Sequence, residues 1–254
     1  MSSPIDTLSL IQQIRDYEPV LVKIIFDFVF VPCSEDTEGK HKYIRAMPVP
    51  ETNTISEAFY GNKTLEMIII DDSVKTIGAY AFYECSNLTH ATIGESVEII
   101  DSYAFHGCEK LRTITIPKSV TSIGNYAFNS CTNLRDIIIP NSVKTIGICA
   151  FAYCSKLTEV TIPDLVKTIE CNAFWGCSNM THLNIGKSVK IIEYEAFYMC
   201  SKLSQATIPD SVKTIESRAF YECSSLREVS IPKHLKHTIK ENVFPEHTKI
   251  IVRK

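Results

Sequence analysis

The chain has 254 residues, of which 45% are hydrophobic and 22% charged, and its formal net charge is −3 at pH 7. That balance supplies an ample apolar core. It argues against a chain specialised for nucleic acid or an acidic membrane surface, since both select a basic surplus.

The segment from Met1 to Leu8 has no basic stretch ahead of an apolar run, so no secretory signal peptide reads from it. Ile5, Leu8, Ile11 and Ile14 fall at three-residue steps, and Val20, Leu21, Ile24, Ile25, Phe28 and Val29 recur as pairs four apart, which is a helical stripe. Pro19 suits a helix start, and Pro32 ends the stripe. The apolar run from Val20 to Val31 carries Lys23 and Asp27 and is too short for a bilayer, which takes roughly 20 residues. An α-helical N-terminal cap over the open end of the first repeat is expected, because terminal repeats must be covered to stay soluble. The stripe also admits a separate pair of partner-binding helices. With the charged, turn-rich loop after Pro32, the cap forms a segment 1–45.

Beyond it the chain repeats itself. Cysteine recurs at Cys85, Cys108, Cys131, Cys154, Cys177, Cys200 and Cys223, with Phe82, Phe105, Phe128, Phe151, Phe174, Phe197 and Phe220 three residues before each. Leu88, Leu111, Leu134, Leu157, Met180, Leu203 and Leu226 come next, then Ile93, Ile116, Ile139, Ile162, Ile185, Ile208 and Ile231. A degenerate copy with Phe59, Asn62, Leu65 and Ile70 precedes them. A period of this length marks a solenoid, whose units are too small to fold alone and bury their apolar sides against one another. Residues 46–231 are read as about eight coils on this 23-residue period. Residues 232–254, with Val243 and Phe244 in the core slots and His247 in the cysteine slot, are read as a capping coil.

Each coil divides into three pieces. Leu134 to Ile139 is a short strand with Leu134, Ile137 and Ile139 inward, ended by Pro140, which offers no N–H to a ladder. Gly94 and Gly186 replace that proline in two coils. Val143 to Ile146 is a second extended or turn segment, and Gly147 to Cys154, holding Ala150 and Phe151, is consistent with one turn of helix. Successive strands are expected to pair in parallel as one continuous sheet. Equivalent cysteines then stand about 4.8 Å apart with side chains pointing the same way, which suits a ladder of buried free thiols better than disulfides. No pair has the close ligand spacing of a structural zinc site. Cys33, Cys149 and Cys171 lie outside the ladder.

The unit from Ile116 to Pro140 closely resembles the Treponema-type, BspA-like leucine-rich repeat, and the likeness covers about three-quarters of the chain. The resemblance implies a leucine-rich-repeat solenoid, α/β in class, with a parallel β-sheet on one face and short turns or 3-10 helices on the other. It also implies a surface or secreted antigen or adhesin that binds a host extracellular matrix protein. The absence of a readable signal peptide leaves a cytoplasmic location open, and with it an intracellular scaffold or adaptor for protein–protein interaction.

No catalytic constellation, phosphate-binding loop or metal-spaced cluster is readable, so no enzyme activity, cofactor or metal is expected. Function then lies on the surface. The outward column of the sheet contains His90, Thr113, Asp136, Glu159, His182, Gln205 and Glu228, varied side chains on a regular frame, and is the first candidate for a protein-binding face. The column beside it, with Thr92, Thr115, Ile138 and Thr161, is mostly threonine and is explained by strand preference. A second candidate is an aromatic edge at Tyr83, Trp175, Tyr198 and Tyr221, which coil-on-coil packing also explains. A lysine ladder at Lys144, Lys167, Lys190 and Lys213 is succeeded three residues on by Glu170, Glu193 and Glu216, which are expected to neutralise most of its field. Asn62, Asn87 and Asn179 begin glycosylation sequons. Neither nucleic-acid binding nor membrane insertion is expected.

Overall fold

The computed structural model describes residues 31–33, 43–46 and 53–253. The helical stripe over residues 5–30 lies outside them. The described part of the N-terminal segment is strand: Val31–Cys33 pairs antiparallel with Tyr43–Ala46, which in turn pairs in parallel with Met67–Ile70. Pro32 is tolerated there because its strand is the edge of the sheet, where a missing N–H costs no ladder bond. No α-helix occurs among the described residues, whose one helical element is the 3-10 turn Lys233–Leu235. The fold is thus a β-solenoid, which corrects the α/β class, and the α-helical cap finds no support among the described residues.

Each coil runs around a three-sided core. One side carries the strands Met67–Ile70, His90–Thr92, Thr113–Thr115, Glu159–Thr161, His182–Asn184, Gln205–Thr207, Glu228–Ile231 and Lys249–Val252. They stack in parallel and in register, as in His90↔Thr113, Glu159↔His182 and Gln205↔Glu228. The second side is a separate stack of two-residue parallel strands, such as Ser122–Ile123 beside Thr145–Ile146. The expected single continuous sheet is therefore two stacks, broken among the described residues into five sheets. The first stack is interrupted around Arg135–Ile138, where one isolated bridge, Thr113 to Asp136, carries the pairing, and again before Gln205–Thr207, and the second before Thr168–Ile169.

The third side holds the Ala-Phe segment, and it is not a helical turn. Its backbone N–H groups alternate: Ala81 and Cys85 donate within the coil to Gly78 and Phe82, whereas Tyr80, Phe82 and Glu84 donate across to Ser102, Ala104 and His106 of the next coil. A helix would use every N–H internally. The chain instead takes a left-handed residue just before alanine (φ 58° at Tyr80, 60° at Tyr103, 57° at Tyr126) and another just before cysteine (φ 52° at Glu84, 60° at Tyr153). Such conformations cost a non-glycine residue on the order of 1 kcal/mol. They aim alternate amides at the neighbouring coil, so each turn becomes a rung.

Inside, one phenylalanine per coil stacks into a column from Phe59 through Phe82, Phe105, Phe128, Phe151, Phe174, Phe197 and Phe220 to Phe244, with centroids 4.9 to 5.5 Å apart. The seven ladder cysteines are buried free thiols. Each Sγ donates to the carbonyl of the phenylalanine in the preceding coil, at 2.9 Å for Cys85 to Phe59 and 3.2 Å for Cys131 to Phe105. The thiol therefore serves as a donor as well as a filler. Asn62 is half-buried and uses its Oδ1 to accept from Thr64 N (2.9 Å) and Leu65 N (3.0 Å).

Gly186 shows how close the coils come. A Cβ built there meets the Pro163 carbonyl oxygen, lies 2.7 Å from Pro163 C and 2.8 Å from Ile162 O, all backbone of the preceding coil. Gly186→Ala is expected to lower the urea midpoint, with a loss of about 1–3 kcal/mol as the coils are pushed apart; an unchanged midpoint would show that the stack is loose at this corner.

Candidate functional site

Strand alternation turns Ala91, Ile114, Ile137, Val160, Ala206 and Val229 into the core and leaves their neighbours outside. Parallel, in-register stacking then aligns the outward residues. His90, Thr113, Asp136, Glu159, His182 and Gln205 are exposed, while Glu228 is half-buried beside Lys249 of the last strand. All seven candidates stand in one column. Met67, which precedes them, is buried at 8% exposure.

The two histidines are held alike. His90 Nδ1 lies 2.9 Å from Thr89 Oγ1, whose hydroxyl donates to Glu66 O at 2.9 Å. His182 Nδ1 lies 2.9 Å from Thr181 Oγ1, which donates to Thr158 O at 3.2 Å. A hydroxyl that donates to a carbonyl accepts from the ring, so Nδ1 is the donor in both contacts.

Ile138 is the residue that sequence reasoning passed over. It sits in the threonine column, yet 82% of it is exposed, the highest value for any large apolar side chain among the described residues. It lies where sheet pairing is interrupted, between two shallow clefts. One of about 740 Å³ is bordered by Glu95, Thr115, Lys118 and Asn141, the other of about 430 Å³ by Asp136, Glu159 and Thr161. The available signal was an isoleucine at an outward position that threonine fills in the coils on either side.

The aromatic edge is used differently. Tyr83, Trp175, Tyr198 and Tyr221 share one column and are half-buried, but the column is split by buried Asn129 and Ala152. Tyr83 stacks on Tyr60 and His106, each at 4.8 Å, and Tyr80, Tyr103 and Tyr126 stack at 4.9 and 4.7 Å beside them. Trp175 meets Tyr153 at 4.8 Å and Tyr198 at 6.1 Å, and Tyr198 meets Tyr221 at 6.1 Å. These rings pack coil on coil in two blocks. Among the described residues, no group of three or more His, Cys, Asp and Glu is placed to hold a metal ion, and no helix is long and apolar enough to cross a membrane.

Residues 52–181 and 146–251 match the family profile of the BspA type leucine rich repeat region, in six copies. Among solved structures, a T. pallidum leucine-rich repeat protein is 26% identical, with 79% of this chain and 88% of that one covered at a TM-score of 0.56. A leucine-rich repeat protein from Bacteroides ovatus is 19% identical over 90% of this chain and 100% of that one, at a TM-score of 0.32. A leucine rich cell surface protein from Faecalibacterium prausnitzii is 20% identical over 90% and 93%, at 0.34. A search of curated proteins gives no match.

Proposed function

We propose, for a chain that belongs to the BspA-type leucine-rich repeat family, that it works by binding a protein through the open face of its first sheet, with Ile138 at the centre. The observation that carries this reading is an isoleucine left 82% exposed on the sheet face, where Asp136 and Glu159 line the cleft beside it. Apolar side chains ringed by polar ones dominate the energetics of protein interfaces. By the family resemblance, the partner is a host extracellular matrix protein and the chain a surface antigen or adhesin.

Binding to immobilised collagen, fibronectin and laminin tests it. Ile138→Asp is expected to weaken the interaction about 30-fold, the effect of losing a hot spot worth about 2 kcal/mol, and alanine at Asp136, Glu159 and His182 to weaken it further. The melting temperature should hold, since all four side chains are exposed. Affinity that survives all four changes would move the site off this face, and no binding to any of the three would remove the matrix partner.

A second reading, an intracellular scaffold using the same face, is supported by nine free cysteines among the described residues, a state common in reducing compartments. Surface labelling of intact native cells separates the two. The sequon asparagines do not favour either: Asn87 and Asn179 are half-buried, with Nδ2 donating to Lys63 O (2.5 Å) and Ser155 O (2.6 Å).

A further inference from the structure

On the second sheet, Lys144, Lys167, Lys190 and Lys213 occupy one position in four successive coils, immediately before the two-residue strands. The backbones of the last three are hydrogen-bonded neighbours, Lys190 N to Lys167 O and Lys213 N to Lys190 O, both at 2.7 Å, while the sheet pairing is interrupted between Lys144 and Lys167. At about 4.8 Å per strand the four ammonium groups form a row roughly 14 Å long on the solenoid axis. All four side chains are exposed.

Of the glutamates expected to neutralise this row, Glu170 lines the same cleft as Lys144 and Lys167, whereas the other two bond other side chains. Glu216 pairs with Lys240 at 2.8 Å. Glu193 accepts the Cys171 thiol at 3.0 Å, and it adds to burial in pushing the Glu170 carboxyl up. Of the acids on the preceding turn, Asp210 holds Arg253 at 2.5 Å, and Asp164 accepts Lys187 N at 2.8 Å. Lys75, at the same position earlier in the array, is paired with Glu98 at 3.2 Å, whereas none of the four makes an ion pair with a described residue. Like charges stacked at this spacing repel one another, and the fold keeps them without a counterion from the described chain.

We infer that this row is a binding ridge for a linear sulfated polysaccharide, lying along the solenoid axis on the sheet that the proposed protein-binding face does not use. A linear polymer fits a linear row, in which each lysine meets successive anionic groups as a point charge. Leu165, 45% exposed beside Lys144 and Lys167 in a shallow cleft of about 440 Å³, offers an apolar contact for a sugar ring. The cleft has no aromatic side chain on which bases would stack, which disfavours a single-stranded nucleic acid.

Heparin is the probe, titrated against the intact chain at rising salt. The expected result is salt-sensitive binding that falls roughly tenfold or more, with a flatter salt dependence, when all four lysines are changed to glutamine. The melting temperature should not drop, because repulsion has been removed, and Lys→Arg at all four positions should retain binding. Ile138→Asp should leave heparin binding untouched, so failure of the protein-binding reading would not carry this one with it. No binding at low salt, binding indifferent to the four glutamines, or polyglutamate and single-stranded DNA bound as tightly as heparin would each overturn the assignment.

Discussion

Raising the pH above about 9 should destabilise this protein, through its thiol ladder. Burial pushes Cys85 and Cys154 from an ordinary value of 9.0 up to about 12, and drives Cys108, Cys131, Cys177 and Cys200 well above 9.0. The folded chain thus prefers the neutral thiol more strongly than the unfolded chain does. Below about pH 9 both states are protonated and the stability is whole; as pH rises toward 12 the unfolded chain ionises first and stability is lost. At pH 10 Cys85 and Cys154 each cost about 1.4 kcal/mol, together about 3 kcal/mol of a total stability of about 5–15 kcal/mol for a domain, and the other four thiols act in the same direction. The urea midpoint should fall as the pH is raised from about 9 to 11. A urea midpoint that does not move over that range would refute buried, proton-bearing thiols.

Phe128→Ala should cost about 3–5 kcal/mol, which in a chain of this size lowers the melting temperature by roughly 6–20 °C. The ring is fully buried and lies between Phe105 and Phe151, each at 5.3 Å and within 5° of parallel. Its loss opens a cavity on two coil interfaces, and stability in a solenoid is a sum over such interfaces. Phe244→Ala should cost about half as much, since that ring is 8% exposed and stacks on one neighbour, Phe220. Equal losses at the two positions would mean that the column is not the unit of stability.

The candidate site was legible to the extent that it is periodic. Once Cys85 and Cys108 define the register, His90, Asp136 and Glu228 must share a face, because identical coils stacked in parallel can only align equivalent positions. The threonine column shows the limit. Strand preference accounts for Thr115 and Thr161 and so concealed Ile138, an apolar side chain left exposed at the same outward position. Sequence proximity also misled at the lysine row. Glu193 and Glu216 lie three residues beyond Lys190 and Lys213, yet they are taken by Cys171 and Lys240, more than 20 residues away.

Residue order alone determined the period, the inward set and the alignment of surface columns, since these come from counting and from the side-chain alternation of a strand. The tertiary structure decided where each hydrogen bond and each charge goes. The Ala-Phe segment has the composition of a helical turn, but Phe82 N finds Ala104 O, and Cys85 Sγ finds Phe59 O. Both bonds cross between coils. Partners 22 to 26 residues apart become neighbours only when the stack closes, so local propensity could not have chosen them.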